Sequence, residues 1–265
     1  MKIAVIGVGN MGGAIVRGLL KSGKCSPDEI ICTAKSRATL DKMLEYNAEL
    51  QVTQNNVEAA SQASLIIVAV KPWLVGEVLR EIAPVVKRSR LMIASVAAGV
   101  TLNDMAELLS ADESVELSPA LFRVVPNTAV EVLEGVTFIS SQDATAEQQE
   151  SLCDLFAALG YVATIDEKQV PAATSLASCG VAYAMRYVRA AMEGGVELGF
   201  RPEEAARIVE HTVKGAVELL LSSGQHPEVE IDKVTTAGGI TIKGLNAMEQ
   251  AGFSAAVIEG LRASK

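Results

Sequence analysis

Histidine occurs twice and cysteine four times in this chain of 265 residues, and neither is spaced to build a metal centre. Cys25, Cys32, Cys153 and Cys179 lack C-x-x-C spacing, so neither a structural zinc site nor a disulfide framework is expected, and they read as reduced thiols. His211 and His226 lie in the helical region and a loop, away from the motifs below, so neither reads as a general acid. Aromatic residues make up only 4% against 49% hydrophobic, which implies a core of aliphatics and alanine, as in α/β and helical packing. No apolar run approaches the ~20 residues of a membrane span, and no cationic leader precedes one. Lys and Arg number 23 against 32 Asp and Glu, a net charge of -9 that argues against nucleic acid or an anionic membrane as partner. A soluble, cytoplasmic protein is expected, with no targeting segment before a first strand that begins at residue 2.

What is present starts with a short β-branched run, Lys2 to Ile6, which breaks into Gly7-Val8-Gly9-Asn10-Met11-Gly12-Gly13 before an apolar helical pattern at Ala14, Ile15, Gly18 and Leu19. Strand, glycine turn and helix in that order are the context in which G-x-G-x-x-G binds a diphosphate. Gly7 permits the turn, Gly9 lets backbone approach the anion and Gly12 lets helix pack on strand; the helix N-terminus aims amide hydrogens at the charge. Asn10 and Met11 open that helix.

Such a unit usually carries an acid some 20 residues on to hold a ribose 2′-hydroxyl. Here the second strand, Glu29 to Thr33, is followed by Ala34-Lys35-Ser36-Arg37, and no carboxylate occurs between Glu29 and Asp41. Lys35, Ser36 and Arg37 can hold a 2′-phosphate through charge and hydrogen bonds, which predicts NADPH as cofactor, with NADH open as a second donor.

Further strands are expected at Val52 to Thr53, Leu65 to Val70, Leu91 to Val96, Phe122 to Thr128, Gly135 to Ser140 and Tyr161 to Ile165. Helices are expected at Ser36 to Tyr46, Asn55 to Ser61, Trp73 to Val86, after Thr101 and over Thr145 to Leu159, with a loop from Ala111 to Pro119. Val70, Lys71 and Pro72 end a buried strand, where ligands gather in open parallel sheets. The alternation predicts an α/β fold, a Rossmann-type doubly wound sheet over residues 1–165.

From residue 166 to 265 the pattern becomes helical: Val170 to Leu198, Pro202 to Ser222 and Ile240 to Leu261, rich in alanine and without a strand. Such helices have little polar surface for solvent, so a helical domain that buries against another subunit is expected. Within it, Gly238 and Gly239 precede a helix carrying Thr241, again a nest of amides at a helix N-terminus, of a size for a small carboxylate.

At this point the chain resembles the pyrroline-5-carboxylate reductase family. Gly238, Gly239 and Thr241 match its Ser-Pro-Gly-Gly-x-Thr motif, and Gly7-Val8-Gly9-Asn10-Met11, Ala69-Val70-Lys71-Pro72, Ala97-Ala98-Gly99-Val100, Arg123 to Thr128 and Thr212 to Ala216 fall in family order. The resemblance implies NADPH-dependent reduction of Δ1-pyrroline-5-carboxylate to L-proline. It implies Gly238, Gly239 and Thr241 amides on the substrate carboxylate, the Thr241 hydroxyl at the ring nitrogen, and Lys71 and Asn127 beside the nicotinamide. A homodimer or larger homo-oligomer through residues 166–265 is also implied. The chain departs from the family at Ala237, Ala177, Cys179 and Val181, which keeps open another cyclic imino acid as substrate, or a non-catalytic homologue that binds NADPH.

Overall fold

The computed structural model describes residues 1–86, 91–110 and 119–265. The loop expected over 111–119 lies, for residues 111–118, outside the described residues. The first strands are β1 (Ile3–Ile6), β2 (Ile30–Thr33), β3 (Gln51–Thr53), β4 (Leu65–Val68) and β5 (Met92–Ser95). β6 (Ala120–Pro126), β7 (Gly135–Gln142) and β8 (Gly160–Thr164) follow. They form one sheet in the order β3-β2-β1-β4-β5-β6-β7-β8, parallel except where β6 meets β7. The chain winds outward from β1 to β3 and then restarts at β4 on the other side of β1.

Among the described residues, six helices cover the sheet: α1 (Asn10–Lys21), α2 (Arg37–Tyr46), α3 (Asn56–Gln62), α4 (Pro72–Ile82), α5 (Leu102–Ser110) and α6 (Ala146–Ala157). The period-2 alternation of the strands divides the core between the two faces. Ile3, Val5, Leu65 and Ile67 pack with Ile15 and Leu19 of α1, Leu40 of α2 and Phe156 of α6. Ala4, Ile6, Ile66 and Val68 pack with Ala59 of α3, Leu79 of α4 and Met105 of α5. Strands buried on both faces need unbroken apolar runs, which is why β1 and β4 read IAVI and LIIV. Caps legible in the sequence close several helices. Asn55 accepts the Glu58 amide, Thr145 accepts that of Gln148, and Thr101 and Asp104 exchange bonds of 2.8 and 3.0 Å.

Compact units divide between Ser178 and Cys179, later than the boundary expected at residue 165. The residues after β8, including α7 (Val170–Ala173), are held to β6 by side chains. The Arg123 guanidinium, 8% exposed, pairs with Glu167 at 3.0 Å, and Glu167 also accepts the Leu102 amide at 2.8 Å. Asn127 donates to the Ala177 carbonyl and the Ser178 hydroxyl donates to that of Pro126, at 3.4 and 3.5 Å. Thr174–Cys179 is wound as a π-helix, a departure from the α period that the sequence did not announce.

The second unit holds α8 (Gly180–Glu197), α9 (Pro202–Ser223), α10 (Pro227–Lys233), α11 (Ile240–Gln250) and α12 (Phe253–Ala263). The single helix expected from Ile240 to Leu261 is two, because Gly252 takes a φ of 84° that ends one and starts the next. α10 was not expected. Its start is capped by His226, whose Nδ1 accepts the Glu228 amide. Ala205 is the one fully buried residue of this unit, while Leu198, Leu221, Met185 and Ile240 are between 65 and 87% exposed.

One contact fixes α1 against the turn Thr128–Val132. A Cβ on Gly18 would lie 2.5 Å from the Val130 carbonyl oxygen and 2.8 Å from the Leu159 side chain. Beside it Arg17 grips Glu131 through two bonds of 2.8 and 3.2 Å, which holds that carboxyl below its ordinary range. Gly18→Ala sets a helix-propensity gain of up to ~1 kcal/mol against overpacking of about 1–3 kcal/mol. The obstructing atom is a backbone carbonyl, so overpacking wins, and a net loss of about 1 kcal/mol is expected in chemical denaturation. A variant as stable as the parent would show that helix and turn do not meet this closely.

Candidate active site

The restart of the chain at β4 leaves a crevice at the carboxyl ends of β1 and β4, where open parallel sheets bind ligands. A cleft of about 550 Å³ lies there. Gly7, Gly9, Asn10 and Met11 line it beyond β1; Ala34, Lys35 and Ser36 beyond β2; Ala69, Val70, Lys71 and Pro72 beyond β4. Val96, Ala97 and Ala98 line it beyond β5.

Its floor is the glycine turn, and two of the glycines are there for want of room. Gly7 has a φ of 96°, and a Cβ on it would lie 2.7 Å from Val70. A Cβ on Gly12 would run into the Gly7 carbonyl oxygen and reach within 3.0 Å of the Ala69 Cβ, so α1 could not start so close to β1. Gly9 is the opposite case. A Cβ there would meet nothing within 4 Å, and Gly9 lines the cleft, so that space is left to a ligand. No side chain caps α1 and no acid stands in its first turn, which leaves first-turn amides free for an anion.

The charges agree. Lys35 and Lys71 are the ionised side chains of the cleft lining, which includes no carboxylate, in a chain of net charge -9. Among the described residues neither ammonium has a hydrogen bond or ion pair, so both are free for an anionic ligand. These features fit a dinucleotide with a diphosphate and a further phosphate.

Three of the residues expected at a cofactor do not line the cleft. Gly12 lies beneath it, as packing requires. Arg37 is exposed and pairs with Asp41 at 2.8 Å, four residues along α2, although its other nitrogens stay unengaged. Asn127 is 5% exposed; its side-chain oxygen accepts the Ala129 and Val136 amides, and its nitrogen holds Ala177. Ala34, Thr39, Leu74 and Val96 line the cleft without having been singled out, and Ala69, Ala97 and Ala98 line it although they were quoted only as motif residues and not as cofactor contacts. Their signal was position: most stand just past a strand end.

In the helical unit, Gly238, Gly239 and Thr241 come together at the start of α11. The Gly239 amide donates to the Thr236 carbonyl at 2.9 Å across a turn in which Gly238 has a φ of 71°. A positive φ at the third residue marks a type II-like turn, whose second position, favoured by proline, is Ala237 here. Gly239 caps α11 without a side-chain bond and no acid stands in its first turn, so amides there are also free. Thr241 is exposed in the single chain.

Other candidates fall away on geometry. Burial pushes the Cys32 thiol up to about 12 and also raises Cys25, so neither ionises near neutral pH. His211 is exposed on α9. Among the described residues, no group of three His, Cys, Asp or Glu could hold a metal ion, and no helix is long and apolar enough to cross a membrane.

Comparison with known proteins adds independent evidence. Residues 167–265 match the family described as pyrroline-5-carboxylate reductase dimerisation, and residues 2–99 the family described as NADP oxidoreductase coenzyme F420-dependent. Pyrroline-5-carboxylate reductase 2 of Dictyostelium discoideum is 37% identical over 98% of this chain and 89% of its own length. Pyrroline-5-carboxylate reductase 3 of Danio rerio is 35% identical over 100% and 89%. Among solved structures, the Plasmodium falciparum pyrroline carboxylate reductase with NADP bound superposes with a TM-score of 0.87 at 27% identity, covering 100% of this chain and 95% of that one. Glycine turn, doubly wound sheet, helical second unit and these likenesses along nearly the whole length agree, and the chain belongs to the pyrroline-5-carboxylate reductase family.

Proposed function

We propose that this chain reduces Δ1-pyrroline-5-carboxylate to L-proline with NADPH. The observation that carries the reading is the cleft over the chain restart, floored by an uncapped helix start and edged by two unpaired lysines with no carboxylate. The Plasmodium relative, which has NADP bound, supports the same cofactor.

Bound NADPH supplies the hydride, which goes to the imine carbon. The first-turn amides of α1, at Asn10 and Met11 beyond Gly7 and Gly9, hold the diphosphate, and Gly12 keeps them in place. Lys35, Ser36 and the free nitrogens of Arg37 take the 2′-phosphate, where a carboxylate would repel it. Val70, Lys71 and Pro72 edge the nicotinamide half; Asn127 steadies the β6 end beside it. The Gly238 and Thr241 amides bind the substrate carboxylate beside Gly239, whose own amide closes the turn on Thr236, and the Thr241 hydroxyl orients the ring nitrogen. A protonated imine is already a good electrophile and the product amine needs no strong acid, so catalysis here is mainly the holding of two reactants in contact. That suits a site with few acid-base groups.

The helical unit, residues 166–265 in the sequence reading, serves as the homo-oligomer interface. From Cys179 onward Ala205 is the one fully buried residue, and a unit with so little core of its own is stabilised by covering its apolar faces with a second copy. Cys25, Cys32, Cys153 and Cys179 are all free thiols, which supports a reducing, cytoplasmic compartment.

The first test follows NADPH oxidation with and without Δ1-pyrroline-5-carboxylate, NADH in parallel and a six-membered cyclic imine as comparison. Substrate-dependent oxidation favouring NADPH and the five-membered ring is expected; faster turnover of the larger ring would remove the substrate assignment, and binding without turnover would remove the enzyme. Ser36→Asp should raise the NADPH KM by about tenfold or more and leave NADH little affected. Thr241→Ala should lower kcat by about 10 to 100-fold, near 2 kcal/mol of transition-state stabilisation; unchanged turnover would take Thr241 out of the reaction. If the helical unit is an oligomer interface, the melting temperature should rise with protein concentration, and a concentration-independent value with a monomeric mass would overturn that part.

A further inference from the structure

The loop that meets the 2′-phosphate in the reading above is itself held from behind. Thr33, the last residue of β2, is 1% exposed and binds on two sides. Its carbonyl accepts the amides of Gly7 and Val8 at 3.0 and 2.9 Å, which ties the glycine turn to the end of β2. Its hydroxyl donates to the Asn56 side-chain oxygen at 2.7 Å, and the Asn56 amide nitrogen donates to Glu81 of α4 at 2.8 Å. Two residues before Asn56, the Gln54 amide nitrogen donates to the Lys35 carbonyl at 2.7 Å. Gln54 after β3 and Asn56 at the start of α3 therefore hold the 33–36 loop at two points, Lys35 and Thr33.

Neither Gln54 nor Glu81 lines the cleft, and both are exposed. Their bonds nevertheless converge on the peptide that presents Lys35 and Ser36 to the cleft. A free loop would have to be ordered each time the phosphate bound, and a loop already held loses less entropy on binding. The part of the ligand that gains is the 2′-phosphate, because this loop presents Lys35 and Ser36, whereas the glycine turn is tied to Thr33 through its backbone carbonyl and not through the hydroxyl that Asn56 holds.

We infer that Gln54 and Glu81 are positioning residues for cofactor choice: they hold the Lys35–Ser36 loop in its phosphate-binding form, Gln54 directly and Glu81 through Asn56 and Thr33. The inference rests on the NADPH reading. It predicts a loss confined to the 2′-phosphorylated cofactor, which general damage to the sheet would not produce.

The test measures dissociation constants of the full-length protein for NADPH and NADH, by quenching of its single tryptophan, Trp73, beside the cleft residues Lys71 and Pro72, together with kcat at saturating cofactor. Gln54→Leu removes the donor and keeps bulk; Glu81→Ala removes the acceptor, and Glu81→Gln keeps one. Gln54→Leu and Glu81→Ala should weaken NADPH by about five- to tenfold, the loss of one hydrogen bond, with NADH within about twofold and kcat unchanged. Glu81→Gln should restore most of the affinity. Equal weakening of both cofactors, no weakening of either, or failure of Glu81→Gln to rescue would overturn the inference. A parent protein binding NADH as tightly as NADPH would overturn the NADPH reading itself, and this inference with it, before any variant is compared.

Discussion

A helix can begin hard against the carboxyl end of a strand only if nothing larger than hydrogen stands at the contact, and Gly12 beneath the Gly7 carbonyl meets that condition. The rest of the sheet unit follows from it. With α1 drawn this close, its free amides point along the crevice between β1 and β4 rather than into a side-chain cap. Gly7, in the left-handed region and against Val70, brings the β4 end to the same place. The order β2-β1-β4-β5 then gathers four strand ends around one opening. The requirement is steric before it is chemical: a methyl group at Gly12 displaces α1, and with it the orientation of every amide in its first turn.

The second organising contact is less visible from the motifs. β6 carries Arg123 at its middle and Pro126 at its end, with Asn127 just beyond, and each binds a residue between 167 and 178. Arg123 is nearly buried, and its partner Glu167 also satisfies the first amide of α5. Removing Glu167 would leave a desolvated guanidinium, a larger penalty than the net gain of the pair. The segment after β8 therefore belongs physically to the sheet although its sequence is helical. That explains why the family match of the dimerisation part begins at residue 167 while the contacts divide at 178.

These two contacts mark how far the sequence could be read. The central strands β1 and β4 were legible because parallel strands buried on both faces are written in unbroken aliphatic residues, and such runs have few other uses; the partly exposed β3 and β8 carry no such run and were placed by the alternation of strands with helices. The cleft was legible through Gly7, Gly9, Lys35 and Lys71, since glycines at a strand end and lysines without nearby acids carry local signals. What escaped was tertiary. The π turn at 174–179 and the Asn127 bond to Ala177 bring together positions 50 residues apart, and the break at Gly252 depends on a φ that a glycine permits but does not demand. Asn127 shows the difference well: a polar residue just past a strand end resembles a ligand contact, and three hydrogen bonds inside the protein occupy it.

Charge is arranged with similar economy. The chain carries nine more acids than bases, so an anionic cofactor meets a repulsive molecule at long range. At short range the balance reverses, because carboxylates are excluded from the cleft lining while two ammonium groups are left unpaired there. Screening in physiological salt acts over roughly 8 Å, so the distant acids count for little and the lysines at the opening decide. Affinity for a phosphorylated ligand is thus set by a few residues around one crevice rather than by the net charge of the chain.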